Sequence, residues 1–142
     1  MNYKPIFWSG IIVALDQLLK YYIRNTLAMG QSIPIIPDFF HITHTVNKGI
    51  GFGLLQNTVP FIILVSLMVI TILIYHFKEF PNKLITNAGF ALILGGAIGN
   101  LIDRIYFGYV TDFLDFRIWP VFNLADFAVT AGAILLLVWL WK

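Results

Sequence analysis

Residues 59–77 read VPFIILVSLMVITILIYHF and hold no Asp, Glu, Lys or Arg. As a helix this run would rise about 28 Å, close to the hydrocarbon thickness of a bilayer. An element with no polar face has nowhere to hide in a small soluble domain, so the segment is expected to cross a membrane. Three more apolar runs share the chain: 6–23 (IFWSGIIVALDQLLKYYI), 84–102 (LITNAGFALILGGAIGNLI) and 122–141 (FNLADFAVTAGAILLLVWLW). Each is long enough to span. The pattern predicts a membrane all-α core of four transmembrane helices in a single domain, 1–142.

Only 11% of the 142 residues are charged and 59% are hydrophobic, against about 25% charged in soluble domains. The net charge of +2 is no footprint for nucleic acid. No cysteine is present, which removes disulfides, thiolate metal sites and cysteine nucleophiles. His41 and His44 are three apart, without an HExxH pattern, and do not suggest zinc. The serines are Ser9, Ser32 and Ser66. Ser9 would lie about 16 Å from Lys20 along a helix, too far for a Ser–Lys pair. No metal or organic cofactor and no obligate protein partner is expected.

The first run begins after Lys4 like a secretory leader, but Asp16 and Lys20 interrupt its second half, so a retained span is expected. Four spans place both termini on one side. Trp8, Tyr75, Trp139 and Trp141 would then form an aromatic belt near that side. Lys4, Lys78, Lys83 and Lys142 fall there, against Lys20, Arg24, Lys48, Arg104 and Arg117 opposite. The count does not set orientation. Cytoplasmic termini are the expectation, because several of the opposite cations have acids nearby.

Segments 27–58 and 103–121 then lie outside the membrane. Phe40-His41-Ile42-Thr43-His44-Thr45-Val46 alternates as a strand does. It predicts a small β element at the outer surface. The second segment reads as a loop rich in aromatics. It carries Asp112 and Asp115, with Asp126 a few residues beyond. An ionisable group inside a span is costly and is a functional candidate. Asp126 can also be read as a helix N-terminal acid. If residues 112–115 are extended, Asp112 and Asp115 face opposite ways; if helical, they share a face. Either could return to meet Asp126. Two carboxylates in a partly dry site share a proton, so one acts as base and the other as acid, which suits hydrolysis of a peptide bond. Asp115 has a plainer role available in pairing with Arg117.

Asp16 and Lys20 are spaced i, i+4 and can pair. They read either as an ion pair with Lys20 snorkelling outward or as part of the site. Asn100 and Arg104 share the same spacing. Arg104 could hold lipid phosphates or, by its planar fork, a substrate's backbone. Gly95 and Gly99 form a GxxxG suited to close helix packing. Gly49, Gly51 and Gly53 do not fit a dinucleotide fingerprint and instead permit bending or close approach. A competing reading of Asp16, Lys20 and Asp126 is a proton relay in a small proton-coupled transporter or ion pathway. That reading needs charges strung across the bilayer, whereas here they gather toward one side.

Five ordered motifs resemble lipoprotein signal peptidase (signal peptidase II), the bacterial membrane aspartic peptidase family. They are Asp16-Gln-Leu-Leu-Lys20, Asn47-Lys-Gly49-Ile-Gly-Phe52, the block Gly95-Gly96-Ala-Ile-Gly99-Asn100-Leu-Ile-Asp103-Arg104, Val110-Thr-Asp112-Phe, and Phe122-Asn123-Leu-Ala125-Asp126. The resemblance covers nearly the whole chain. Gly51 stands where an alanine is common, and Phe127 where a small residue is usual. The resemblance implies four helices with a small extracytoplasmic β-cradle, in the bacterial cytoplasmic membrane. It implies Asp112 and Asp126 as catalytic residues, with Asp16, Lys20, Asn47, Gly49, Asn100, Arg104 and Asn123 lining or supporting the site. The implied substrates are lipid-modified prolipoproteins presented among membrane lipids and cut before the diacylglyceryl cysteine.

Overall fold

The computed structural model of the chain describes residues 4–49 and 58–141. Gly51, Phe52 and Gly53 lie outside the described residues. Among the described residues four α-helices and three strands follow in the order α1 (Lys4–Thr26), β1 (Ser32–Ile36), β2 (Phe40–Asn47), α2 (Val59–His76, continued by a 3-10 turn, Phe77–Glu79), α3 (Leu84–Phe107), β3 (Val110–Asp115) and α4 (Leu124–Leu140). The protein is thus mostly helical with one small antiparallel sheet. Three helical segments, Lys4–Thr26, Val59–Glu79 and Leu84–Phe107, are long and apolar enough to cross a membrane. The fourth, Leu124–Leu140, is apolar but shorter. It begins at Leu124 because Phe122 and Asn123 are spent on a bridge and a cap.

Helix α3 is the central post, packed along α1 and α4 and more lightly against α2. Small residues permit that closeness. A Cβ on Gly96 would collide with the Ala125 carbonyl oxygen, and one on Gly99 would stand 2.6 Å from the Asp16 carboxylate. Ile70, Phe90, Leu94 and Leu101 form the core between α2 and α3. Apart from Ile62 and Ile70, α2 has no buried side chain, as expected of a helix whose other faces meet lipid. α3 also runs past its apolar stretch to Phe107, where Gly108 ends it at φ 72°. Asp103 and Arg104 are therefore helical, with partners described below.

The sheet has the order β1-β2-β3, antiparallel throughout. Pro34 is tolerated because β1 is an edge strand. The alternating stretch 40–46 is indeed a strand, extended to Asn47. The segment 110–115, read as a loop from sequence, is the third strand. Five of its six residues are buried on both faces, so no polar alternation betrays it; pairing with β2 creates it. Phe113 packs with Ile23 and Leu27 and fastens the sheet to the end of α1.

Candidate active site

Thr45 pairs with Asp112 across β2 and β3, and Asn47 with Val110. The Asp112 side chain thereby lies on the face that carries Thr45 and Asn47. Asp115, three residues on, is turned the other way. Its carboxylate accepts from the Thr43 hydroxyl at 2.8 Å, from the Arg117 backbone N–H at 2.9 Å and from the Arg117 guanidinium at 3.0 Å. Burial pushes the Asp115 carboxyl up, but these donors outweigh it and hold it below its ordinary range. Pairing of Asp115 with Arg117 is therefore realised.

Asp126 enters from α4. Asn123 caps that helix: its Oδ1 accepts the Asp126 N–H at 2.9 Å, while Asp126 Oδ2 accepts the Asn123 N–H at 3.4 Å. This reciprocal box satisfies two orphan donors of the first turn. Asn123 then has its amide nitrogen free, and it donates to Asp112 Oδ1 at 2.6 Å and to Asn100 Oδ1 at 3.2 Å. Asn100 in turn donates to Asp126 Oδ1 at 2.7 Å. Two amides thus bracket two carboxylates. The N-terminal-acid role of Asp126 and its place beside Asp112 are both present.

Asp112 is only 2% exposed. Burial, followed by the charge of Asp126, pushes its carboxyl up to about 7, against opposing contributions from Asn123, Lys20 and Asn47. Both aspartates, Asn47, Asn100 and Arg104 line an open cleft of about 1190 Å³. Its apolar side is supplied by Ile62, Val65 and Val69 of α2 and Val129 of α4. Phe127, which is exposed, also faces it. Arg104 donates through Nη2 to the Gly49 carbonyl at 2.9 Å, tying the end of β2 to α3. Its buried Nε has no partner among the described residues. Asn47 Oδ1 accepts the Gly49 N–H at 2.9 Å.

Asp16 and Lys20 lie one layer below. Their ion pair, at 2.8 Å, is fully buried, and Lys20 Nζ donates to Asn100 Oδ1 at 3.0 Å. Lys20 therefore does not snorkel outward: polar groups of α3 reach it inside, so its charge gains more by turning in than toward water. The nine residues singled out from the sequence thus fall in one connected region. Sequence reasoning missed Gln17, Arg24, Asp103 and Thr111. Asp103 Oδ2 lies 3.5 Å from Lys20 Nζ and accepts the Thr111 N–H at 2.9 Å. Arg24 reaches Asp103 at 3.4 Å and the Thr111 hydroxyl at 3.1 Å. Gln17 donates to Asp103 at 3.2 Å and to the Gly99 carbonyl at 3.0 Å. A signal existed. Asp16, Lys20 and Arg24 run i, i+4, i+8 down one face, two cations for one acid, and the second acid had to come from another helix. Among the described residues no three His, Asp or Glu side chains converge as a metal would require.

Comparison with known proteins gives a consistent picture. A family model described as signal peptidase (SPase) II matches residues 8–142. A lipoprotein signal peptidase of Halothermothrix orenii is 48% identical over 133 residues, covering 93% of this chain and 91% of its own length. One from Moorella thermoacetica is 47% identical, covering 89% and 85% respectively. A bacterial membrane enzyme solved by the in meso method at 2.3 Å resolution superposes with a TM-score of 0.93 at 35% identity, over 98% of this chain and 88% of that one.

Proposed function

Because the chain belongs to the signal peptidase II family, we propose that it is the membrane endopeptidase that removes signal peptides from diacylglyceryl-modified prolipoproteins, with Asp112 and Asp126 as its acid/base pair. The observation that carries this reading is the amide bracket: Asn123 holds Asp112 and Asn100 holds Asp126, at 2.6 and 2.7 Å, on the wall of one cleft.

The reaction follows from the pair's shared proton. The ionised carboxylate takes a proton from water as the oxygen attacks the scissile carbonyl carbon. The protonated carboxyl donates to the developing oxyanion and yields a tetrahedral diol. Collapse of the diol re-forms a C=O bond and breaks the C–N bond: the departing amine takes a proton from one carboxyl while a diol hydroxyl gives its proton to the other, so the pair again holds one. One proton serves the two carboxyls, whichever of them holds it at the start. Arg104 and the Gly49 region bind substrate backbone, Asn47 steadies Asp112, and the apolar α2 and α4 walls take the signal-peptide and lipid side of the substrate.

The protein is a multi-pass membrane protein. All four helices span the bacterial cytoplasmic membrane, with residues 1–142 forming one domain, both termini cytoplasmic and the sheet and dyad at the extracytoplasmic face. At 17 residues, α4 rises about 26 Å, which crosses if the bilayer thins slightly or flanking residues extend it. The test is cleavage of a diacylglyceryl-modified precursor by the purified protein beside Asp112→Asn and Asp126→Asn. Wild-type cleavage abolished in both variants is expected; full activity in either removes the dyad. Equal cleavage of unlipidated precursor would remove the lipid requirement.

A further inference from the structure

Asp16 and Asp103 make the same kind of contact, one beneath each of the two aspartates. Asp16 Oδ1 accepts the backbone N–H of Ala125 at 3.0 Å, and Ala125 is the residue immediately before Asp126. Asp103 Oδ2 accepts the backbone N–H of Thr111 at 2.9 Å, and Thr111 is the residue immediately before Asp112. Lys20 Nζ sits between the two carboxylates, 2.8 Å from Asp16 and 3.5 Å from Asp103. Its third contact is Asn100 Oδ1, whose amide nitrogen holds Asp126. Asp16, Lys20, Asp103 and Thr111 are all 0% exposed.

A buried ion triad is a poor device for stability alone. Its desolvation cost often exceeds its attraction, and well-packed apolar side chains in its place are commonly as stable or more so. What it supplies is fixed geometry. The two aspartates arrive on elements far apart in sequence, a strand and a helix terminus, with no covalent tie except the intervening loop. Their separation must hold for a proton to be shared. We propose that Asp103 is a positioning residue for the cleavage: paired with Asp16 through Lys20, it sets the distance between the backbone carrying Asp112 and the backbone carrying Asp126. Arg24, which bonds both Asp103 and Thr111 and lies over the Phe107 ring at 4.4 Å, closes the outer side of this clamp. The inference rests on the dyad reading above and assigns to Asp103 and Arg24 a role beyond it.

The experiment is steady-state cleavage of a diacylglyceryl-modified precursor, across pH, by purified wild type, Asp103→Asn and Arg24→Gln. Folded fraction is measured on each by gel filtration and thermal unfolding. Asn can still accept the Thr111 N–H but carries no charge to oppose Lys20. The expected result is a fall in kcat of about a hundredfold per folded molecule, as a misplaced reacting group produces, with KM unchanged. Asp126, Lys20 and Arg104 act on Asp112 by charge, and Asp103 and Arg24 stand against the neighbouring residue, Thr111. Removing a negative group favours the Asp112 carboxylate, so the alkaline limb of kcat should move to lower pH in Asp103→Asn. Removing a positive one should move it to higher pH in Arg24→Gln. Asp103→Glu, which restores the charge, should recover part of kcat and return the limb toward wild type. Arg24 lies at the accessible edge of the group, so its variant decides the matter if Asp103→Asn does not fold. Activity loss that only tracks folded fraction, with an unmoved limb, overturns the proposal. Wild-type cleavage with an inactive Asp112→Asn but a normal Asp103→Asn overturns this inference alone; an inactive wild type overturns it together with the proposed function.

Discussion

Asn123 and Asn100 are joined amide to amide at 3.2 Å, and each holds one carboxylate, Asp112 and Asp126 respectively. Asn100 Oδ1 also receives the Lys20 ammonium. With its oxygen occupied by two donors, Asn100 has only its NH₂ to offer Asp126.

Replacing Asn123 by Ala removes both the α4 cap and the donor to Asp112. Cap loss alone should lower stability by about 1 kcal/mol. Activity per folded molecule should fall by far more, about a hundredfold, because Asp112 loses its 2.6 Å hydrogen bond and its alignment. Asn123→Ser, which caps without reaching Asp112, should recover the stability and leave cleavage low. Equal recovery of both would show that the cap is all Asn123 provides.

The raised Asp112 carboxyl gives a pH dependence of defined sign. The Asp112 carboxyl is raised from about 3.8 to about 7 in the folded protein. The folded state therefore binds more protons than the unfolded chain between those values, and stability falls as pH rises through that window. Asp112→Asn, which never ionises, should be more heat-stable than wild type at pH 8, by up to a few kcal/mol at about 1.36 per unit. The difference should vanish near pH 4. Wild-type cleavage should decline as pH rises past about 7. Thermal melts of both proteins in detergent over that range, beside a cleavage profile, check these outcomes.

Asp115→Asn separates the two acids of β3. Cleavage per folded molecule should be normal. The lowered folded pKa of Asp115 means it contributes stability above the unfolded value, lost as pH falls through the folded one. Arg117 is half-exposed, which screens its part, so about 1 kcal/mol is expected. Melts taken from pH 7 downward should show the full deficit at pH 7 and its progressive loss below the ordinary value of about 3.8. Loss of cleavage in this variant would reopen the choice of aspartate.

Gly96→Ala and Gly10→Ala should behave oppositely. At Gly96 the new methyl would meet the Ala125 carbonyl oxygen and a Val129 methyl, forcing α3 and α4 apart beside Asp126. Overpacking of this kind costs about 1–3 kcal/mol. At Gly10 nothing among the described residues lies within 4 Å, and Ala should gain roughly 0.5–1 kcal/mol of helix propensity. Comparing melts of the two variants is a direct check, and equal effects would contradict the packing described.

The helices were legible because apolar runs of bilayer length leave few alternatives, and α2 shows this most plainly. Strand β2 was legible through its period of two. The residues of the candidate site could be gathered from motif resemblance, yet Asp112 and Asp115 were indistinguishable by spacing. Strand pairing separates them, turning Asp112 toward Thr45 and Asn47 while Asp115 is taken by Thr43 and Arg117. Likewise β3 carries no alternation of its own, and Asp103 shows its importance only where α1 brings Lys20 and Arg24 against it. By itself the sequence determined which segments prefer lipid, since that is a local sum of side-chain transfer energies. Which carboxylates meet, which cation turns inward and which backbone N–H each acid holds were decided by tertiary structure, because those depend on contacts between residues as many as 109 positions apart.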